Sequence, residues 1–417
     1  MTRHYSALSL VKEGLKGQKG WAPAWTSPQP KPRYDMVIVG GGGHGLATAY
    51  YLAKTHGITN VAVIEKGWLG GGNTGRNTTV VRSNYFFPES VRLYDMALKL
   101  YEGLSRELNY NIMLSQRGMI SLAHTPAEME MAARVVNAMQ INGTDAELFG
   151  PGDVKRVLPV YNFGPKARYP ALGGVWQGRS GTARHDAVAW GYARAASALG
   201  VDILQQCEVQ EFLIEGGRCR GVKTSRGEIR ADRVGLAVAG HSSQMAAKAG
   251  FRLPVTSYAL QACVSEPVKP ILDTVVLSPG AGTYASQSDK GEMVVGGGLD
   301  RIPSYGQRGN LPVLETVISG LVEMFPSFRQ LKLMRQWAGI VDVAPDSSPI
   351  IGESPLPGLF LNCGWGTGGF KAIPAGGTLL AHLLATGQHH DISRPFDLDR
   401  FARGRLIDEA AGSGIAH

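Results

Sequence analysis

At 417 residues, 44% hydrophobic and only 18% charged, the chain is long enough for one large two-lobed body or two ordinary domains, and too poor in charge to be disordered. Bases exceed acids by eight, but residues 1–33 alone hold six bases (Arg3, Lys12, Lys16, Lys19, Lys31, Arg33) against one acid, Glu13. The remaining body is nearly neutral and carries no nucleic-acid motif, which argues against a nucleic-acid partner. Cys207, Cys219, Cys263 and Cys363 lie far apart with no Cys-x-x-Cys pair, so neither a disulfide framework nor a zinc site fits, and no other metal-ligand cluster stands out. This cysteine usage, with no apolar run of about 18 residues and no secretory core, predicts a cytoplasmic protein without a membrane span.

Residues 1–33 mix lysine and glycine with Trp21, Trp25 and a proline-rich stretch. They read as a basic arm, either a loose tail or a docking element for another subunit, since large aromatics are enriched at interfaces. Residues 35–40 form an apolar, β-branched run that suits a buried parallel strand. It stops at Gly40-Gly41-Gly42-Gly43-His44-Gly45, where Gly40, Gly42 and Gly45 set out a G-x-G-x-x-G spacing. In such a turn the first glycine permits the bend, the second lets the backbone approach a pyrophosphate, and the third lets the helix pack on the strand. An Ala- and Leu-rich helix from Leu46 to Lys54 and a second strand ending at Glu65 complete a β-α-β unit. The acid at that strand end is placed to accept hydrogen bonds from ribose hydroxyls.

The glycine motif does not separate NAD from FAD. A second loop, Gly70-Gly71-Gly72-Asn73-Thr74-Gly75-Arg76-Asn77-Thr78-Thr79, begins five residues beyond Glu65 and suits a cofactor embedded along its length. Ala187 to Leu199 reads as a helix with Asp186 as its N-cap and Gly200 closing it, which places His185 just before the helix. Val234–Ala239 and Leu359–Asn362 are further buried-strand runs, while Val255–Glu266 and Glu292–Gly298 alternate as in a one-sided antiparallel sheet. A third loop, Gly364-Trp365-Gly366-Thr367-Gly368-Gly369-Phe370-Lys371, precedes a helical run from about Pro374 to Leu384. The helix N-terminus and Lys371 offer positive charge to a reduced flavin ring. His389-His390 falls in a polar segment and reads as solvated.

The fold class expected is α/β with α+β lobes: a Rossmann-like FAD-binding domain interleaved with a mainly antiparallel substrate domain. We place the FAD-binding domain at residues 34–95, 165–245 and 336–395, the substrate domain at 96–164 and 246–335, and a C-terminal tail at 396–417.

With these loops in hand the sequence resembles the D-amino-acid-oxidase-like flavin amine oxidases, and within them the β subunits of heterotetrameric sarcosine oxidases. The resemblance runs from about Tyr34 to the C-terminus. It is carried by the block Val39 to Tyr51, by Arg82-Ser83-Asn84-Tyr85, by Arg184-His185-Asp186 and by Asn362 to Lys371. It implies non-covalent FAD held by Gly40, Gly42, Gly43, His44, Gly45, Glu65, Lys66, Asn73, Thr74, Arg76, Thr79, Val209, Gly366, Gly368, Gly369 and Lys371. It further implies FMN bonded covalently to His185 where this subunit meets a larger α subunit. Arg82 and Lys371 are the catalytic candidates, as a clamp on the substrate carboxylate. Monomeric relatives attach FAD to a cysteine at a place that matches Gly339 here, so FAD is expected to be extractable.

The activity implied is oxidative demethylation of sarcosine to glycine, with hydride transfer to FAD, electron passage to FMN, and reoxidation by oxygen to hydrogen peroxide. The imine carbon goes to tetrahydrofolate or leaves as formaldehyde. Tetrahydrofolate and NAD sites belong to partner regions, in an assembly with α, γ and δ subunits. No general base is assigned, since a neutral amine can transfer hydride directly. A dehydrogenase or oxidase of another N-methyl or secondary amino acid (dimethylglycine, proline), and a non-catalytic flavin-bearing scaffold subunit, are the alternatives.

Overall fold

The computed structural model describes residues 6–300 and 302–409. Residues 1–5 of the expected arm and 410–417 of the expected tail lie outside the described residues.

The apolar run after Arg33 becomes the strand Arg33–Val39, parallel on one side to Val61–Ile64 and on the other to Gly227–Leu236. In register, Val39 stands opposite Ile64 and Leu236, so these carboxyl ends are level. Leu359–Cys363 and Asp202–Leu204 extend the parallel set outward. An antiparallel strand, Ile350–Glu353, closes one edge. Both faces are buried, which is why these strands read as continuous apolar runs. The helices Gly43–His56, His185–Ala198 and Ile373–Thr386 pack on one face and share a core containing Leu46, Tyr50, Tyr192 and Leu380.

The second sheet follows the order Leu333–Val343, Thr256–Pro267, Glu292–Leu299, Thr283–Gln287, Val275–Ser278, Met119–Ala123, Gly173–Gln177, Glu147–Phe149. It is antiparallel throughout except where Val275–Ser278 runs alongside Met119–Ala123. Its own core gathers Ile120, Val276, Met293 and Phe325. The α/β class with an antiparallel second sheet is thus as the sequence pattern predicted.

Three local expectations are corrected. The helix expected after Asp186 begins at His185 with Arg184 as N-cap residue. Asp186 does not cap it: its carboxylate pairs with Arg184 at 2.5 Å and accepts from the Ala187 N–H at 2.8 Å. His389 and His390 are half-buried rather than solvated, and His389 Nδ1 is enclosed without a hydrogen-bond partner. The C-terminal segment is no loose tail through residue 409, because Phe396, Arg400, Ile407 and Glu409 are all buried. Arg400 makes an ion pair with buried Asp346 at 2.7 Å.

In the arm, Trp25 packs on the helical core. Thr26 N–H donates to Ser197 Oγ at 3.2 Å, and Lys31 pairs with Asp202 at 2.8 Å. The helix Ala7–Leu15 before it buries no residue, and Leu8, Val11 and Leu15 are 82%, 61% and 85% exposed.

Candidate functional site

The carboxyl ends of the parallel strands open into a cavity of about 780 Å³ that extends to the antiparallel sheet. Ligands of open α/β sheets bind at this strand end, and the volume lies within the range of small-molecule sites. Val39, Ile64 and Ala237 line one end; Leu260, Tyr284, Gly297 and Val341 line the other.

The first glycine loop has the geometry its spacing demands. Gly40 sits at φ +110°, and a Cβ there would lie 2.2 Å from the carbonyl oxygen of Ala237. A Cβ on Gly45 would lie 2.0 Å from the Gly40 carbonyl oxygen, so helix and turn pack this closely only with glycine. Glu65 accepts from the Gly41 N–H at 2.9 Å and the Gly67 N–H at 2.7 Å. It is thereby fixed beside the turn, with carboxylate lone pairs left for a ribose.

The second glycine loop is tied to the first and to the antiparallel lobe. Thr74 Oγ1 accepts from the Gly43 N–H at 3.0 Å, and Asn73 holds Ile340 by donating to its carbonyl and accepting from its N–H at 2.8 Å. Arg76 folds back on the carbonyls of Gly71 and Gly72, and the Trp337 indole N–H donates to the Arg76 carbonyl at 2.7 Å. Thr79 sits at φ +68°, its N–H held by Asn77 Oδ1 at 2.6 Å.

His44 connects this cradle to the third loop. Its Nε2 lies 2.8 Å from the Gly369 carbonyl oxygen, and its ring lies 4.6 Å from that of Trp365. Donation to a carbonyl fixes the proton on Nε2, and burial lowers the imidazole pKa to about 4, so the ring is neutral.

At the third loop, two cations face the cavity. Lys371 is buried and donates to the Thr367 carbonyl at 3.0 Å. Burial, then the nearby Arg82 charge, holds its ammonium well below the usual lysine range. Arg82 is buried, donates to the Asn84 carbonyl at 3.1 Å and side-chain oxygen at 2.6 Å, and lies over the Tyr85 ring at 4.8 Å. Among the described residues neither cation forms an ion pair with a carboxylate. Two buried basic side chains without a carboxylate partner among the described residues suit a carboxylate ligand, whose charge would favour the protonated lysine.

The cavity therefore brings together Gly40, Gly42, Gly43, His44, Glu65, Lys66, Asn73, Thr74, Arg76, Thr79, Arg82, Val209, Gly366, Gly369 and Lys371. Gly45 and Gly368 stand behind its wall; a Cβ on Gly368 would lie 2.1 Å from Tyr94 Oη. His185 does not line the cavity either. It starts its helix with Nδ1 enclosed and unpartnered, and burial lowers its pKa.

Two residues on the cavity wall escaped the sequence reading. Tyr284 accepts from Thr78 Oγ1 at 3.1 Å, and burial pushes its phenol up to about 12. It crosses Gly296, where a Cβ would meet its hydroxyl at 2.2 Å. Asp342 accepts from the Gly364 N–H at 2.6 Å, and burial pushes its carboxyl up to about 7. Strand alternation signals the face of Tyr284 only once the pairing is known, and an acid in an apolar run was the available sign for Asp342.

Residues 35–383 match the family of FAD dependent oxidoreductases, DAO. The chain is 53% identical over 416 residues to the sarcosine oxidase subunit beta of Rhodobacter capsulatus, covering 100% of both chains. It is 53% identical over 405 residues to that of Rhizobium meliloti, covering 97% of each. Among solved structures, L-proline dehydrogenase from P.horikoshii superposes with a TM-score of 0.84 at 28% identity, covering 90% of this chain and 100% of that one. Glycine oxidase from Geobacillus kaustophilus shares the fold with a TM-score of 0.79 at 23% identity, covering 89% and 99%.

Proposed function

From the premise that this chain belongs to the FAD dependent oxidoreductase family, among its sarcosine oxidase β subunits, we propose that its cavity oxidises the N-methyl group of sarcosine. The chain is an amine oxidoreductase and one subunit of a multi-subunit enzyme. The observation that carries the substrate reading is the pair of buried basic side chains, Arg82 and Lys371, on the cavity wall with no paired carboxylate among the described residues.

The residues present fit FAD. The Gly40–Gly45 turn supplies close backbone approach and the N-terminal end of the helix Gly43–His56 for a pyrophosphate, Glu65 a ribose acceptor, and the second loop a polar wall. When bound, FAD supplies the two-electron sink that the protein itself lacks. The protein contributes orientation: Arg82 binds a carboxylate through its planar fork and Lys371 adds a point charge. A substrate held by its carboxylate presents its amine and methyl group to the same part of the cavity on each encounter, which is the main source of rate in such a reaction. The helix Ile373–Thr386 starts just beyond Lys371, and its N-terminal end favours negative charge developing nearby. Oxidation of the methyl carbon gives an imine, and its hydrolysis yields glycine and formaldehyde.

His185 would hold FMN through a ring nitrogen. Its helix start fixes the backbone, and its enclosed Nδ1 is a polar atom without a partner. FMN held there would supply an electron outlet to oxygen; in this reading α, γ and δ subunits would complete the assembly, with tetrahydrofolate and NAD held outside this chain. The site belongs to the cytoplasm in this reading, and no helix among the described residues is long and apolar enough to cross a membrane.

Peroxide release by the purified complex with sarcosine, dimethylglycine, proline and glycine under air tests the proposal. Fastest turnover with sarcosine supports it, and no turnover with any N-methyl amino acid overturns it. The likeness to an L-proline dehydrogenase makes proline the second reading, supported by proline oxidation without peroxide.

A further inference from the structure

The chain's last described segment is anchored in the body by the buried side chains of Phe396, Arg400, Ile407 and Glu409. Phe396 is fully buried, and Arg400 donates to both carboxylate oxygens of Asp346 at 2.7 and 2.9 Å and to the Ser348 carbonyl at 2.9 Å. The Ile407 N–H donates to Asp346 at 3.2 Å, and its carbonyl accepts from Ser348 Oγ at 2.6 Å. These bonds deliver Glu409, 2% exposed, to the start of the helix Pro88–Glu107. Its carboxylate accepts from the Phe86 N–H at 3.1 Å and the Phe87 N–H at 2.9 Å. An acid at this place satisfies donors that the helix cannot and meets its positive end.

The turn so fixed carries Tyr85, whose ring supports the Arg82 guanidinium and stacks on Tyr94 at 3.7 Å. Tyr85, Tyr94, Trp365, Phe396 and Ile407 share one apolar cluster, so the segment also backs the third glycine loop. We propose that residues 396–409 form a strap and that Glu409 is a positioning residue for the carboxylate clamp, acting through the Phe86–Phe87 backbone and Tyr85 on Arg82. This rests on the clamp reading above.

Positioning and charge predict opposite results. If Glu409 acted only as an anion near Arg82, removing its charge would tighten carboxylate binding. If it fixes the turn, an amide in its place accepts from only one of the two N–H groups and sets its own NH2 against the other, and the clamp loosens. The test is acetate binding to the flavin-loaded complex, read from the flavin spectrum, with FAD retention and sarcosine kinetics measured alongside. For Glu409→Gln the expected result is about tenfold weaker acetate binding and a similar rise in KM, with kcat within about threefold and FAD retained. Glu409→Asp, which keeps the carboxylate, recovers part of the loss. Unchanged or tighter acetate binding overturns the strap, as does weakening matched by equal loss of FAD, which marks general unfolding. Arg82→Gln serves as the reference: if it too leaves acetate binding unchanged, the clamp reading fails; if it weakens binding while Glu409→Gln does not, the strap alone fails.

Discussion

Arg82 lies close enough to Lys371 for its charge to add to burial in drawing the lysine ammonium below its ordinary range. A bound carboxylate offsets that repulsion, so the pair favours an anionic ligand. Arg82→Gln and Lys371→Ala should each cost about 1.5–3 kcal/mol of carboxylate binding, roughly tenfold to a hundredfold in KM for sarcosine. Because a depressed lysine loses its proton as pH rises, carboxylate affinity should fall on the alkaline side. That limb should move to higher pH in Arg82→Gln, where the repelling charge is gone, and vanish in Lys371→Ala. Profiles of kcat/KM against pH give the answer; an alkaline limb that survives in Lys371→Ala assigns it to another group.

His44 gives a prediction of the opposite sense. Its pKa is lowered to about 4, so the folded protein binds its proton less readily than the unfolded chain, where it is near 6.5. The stability it contributes is present above pH 6.5 and is lost as pH falls toward 4. His44→Ala should flatten that dependence. It should also loosen FAD, because the 2.8 Å contact to Gly369 and the packing on Trp365 are both removed. Thermal melts from pH 4 to 8, with FAD release measured at each pH, check both effects.

Asp342 has a carboxyl raised to about 7, so between its unfolded value near 4 and pH 7 the folded state holds the proton that the unfolded state releases. Its contribution to stability therefore declines as pH rises through this window and levels off above it. The melting temperature of Asp342→Asn minus that of the unmodified protein should climb from pH 4 to 7. A difference that stays flat excludes the raised carboxyl.

The part of the site read before the structure is the part written in local spacing. Gly40, Gly42, Gly45 and Glu65 belong to one β-α-β unit, whose turn requires those residues wherever it occurs. Arg82 and Lys371 are 289 positions apart in the chain, and resemblance rather than spacing joined them. Tyr284 and Glu409 depend on long-range pairing, set by which strand or terminus lies alongside, and no local pattern reports that; for Asp342 the acid in an apolar run signals burial but not the Gly364 N–H that it meets. Asp186 shows the limit at short range. Ahead of an Ala-rich run it has the composition of a cap, but Arg184, two residues before it, captures its carboxylate and the helix starts two residues earlier, at His185.

Within the arm, burial differs between the helix Ala7–Leu15 and the segment from Trp25 onward. Residues from Trp25 onward hold the body through packing, Ser197 and Asp202, whereas the helix Ala7–Leu15 buries no residue. Removal of residues 1–20 should leave the melting temperature within about 2 °C, while removal of 1–31 should lower it by several degrees, a loss of roughly 1–2 kcal/mol. If residues 1–20 serve another subunit, their removal should weaken assembly of the complex without that loss of stability. Melting and sedimentation of the two truncations separate these effects; equal destabilisation by both would show that the first helix has contacts of its own.

His185 can be tested apart from catalysis. A covalent flavin survives acid precipitation, so the native complex should leave yellow colour in the pellet while FAD passes to the supernatant. His185→Ala should leave the pellet colourless and the supernatant FAD unchanged, because the residue lies outside the cavity wall. Folding should be little affected, since Nδ1 has no hydrogen bond to lose and the helix start is held by the Arg184–Asp186 pair and by the Arg184 N–H to the Ile112 carbonyl at 3.0 Å. His185→Asn keeps a polar side chain of similar reach but no nucleophilic ring, and should behave as the alanine variant does. Colour retained in the pellet of both variants would remove His185 as the attachment point, while loss of FAD along with the colour would place the residue's effect in the fold.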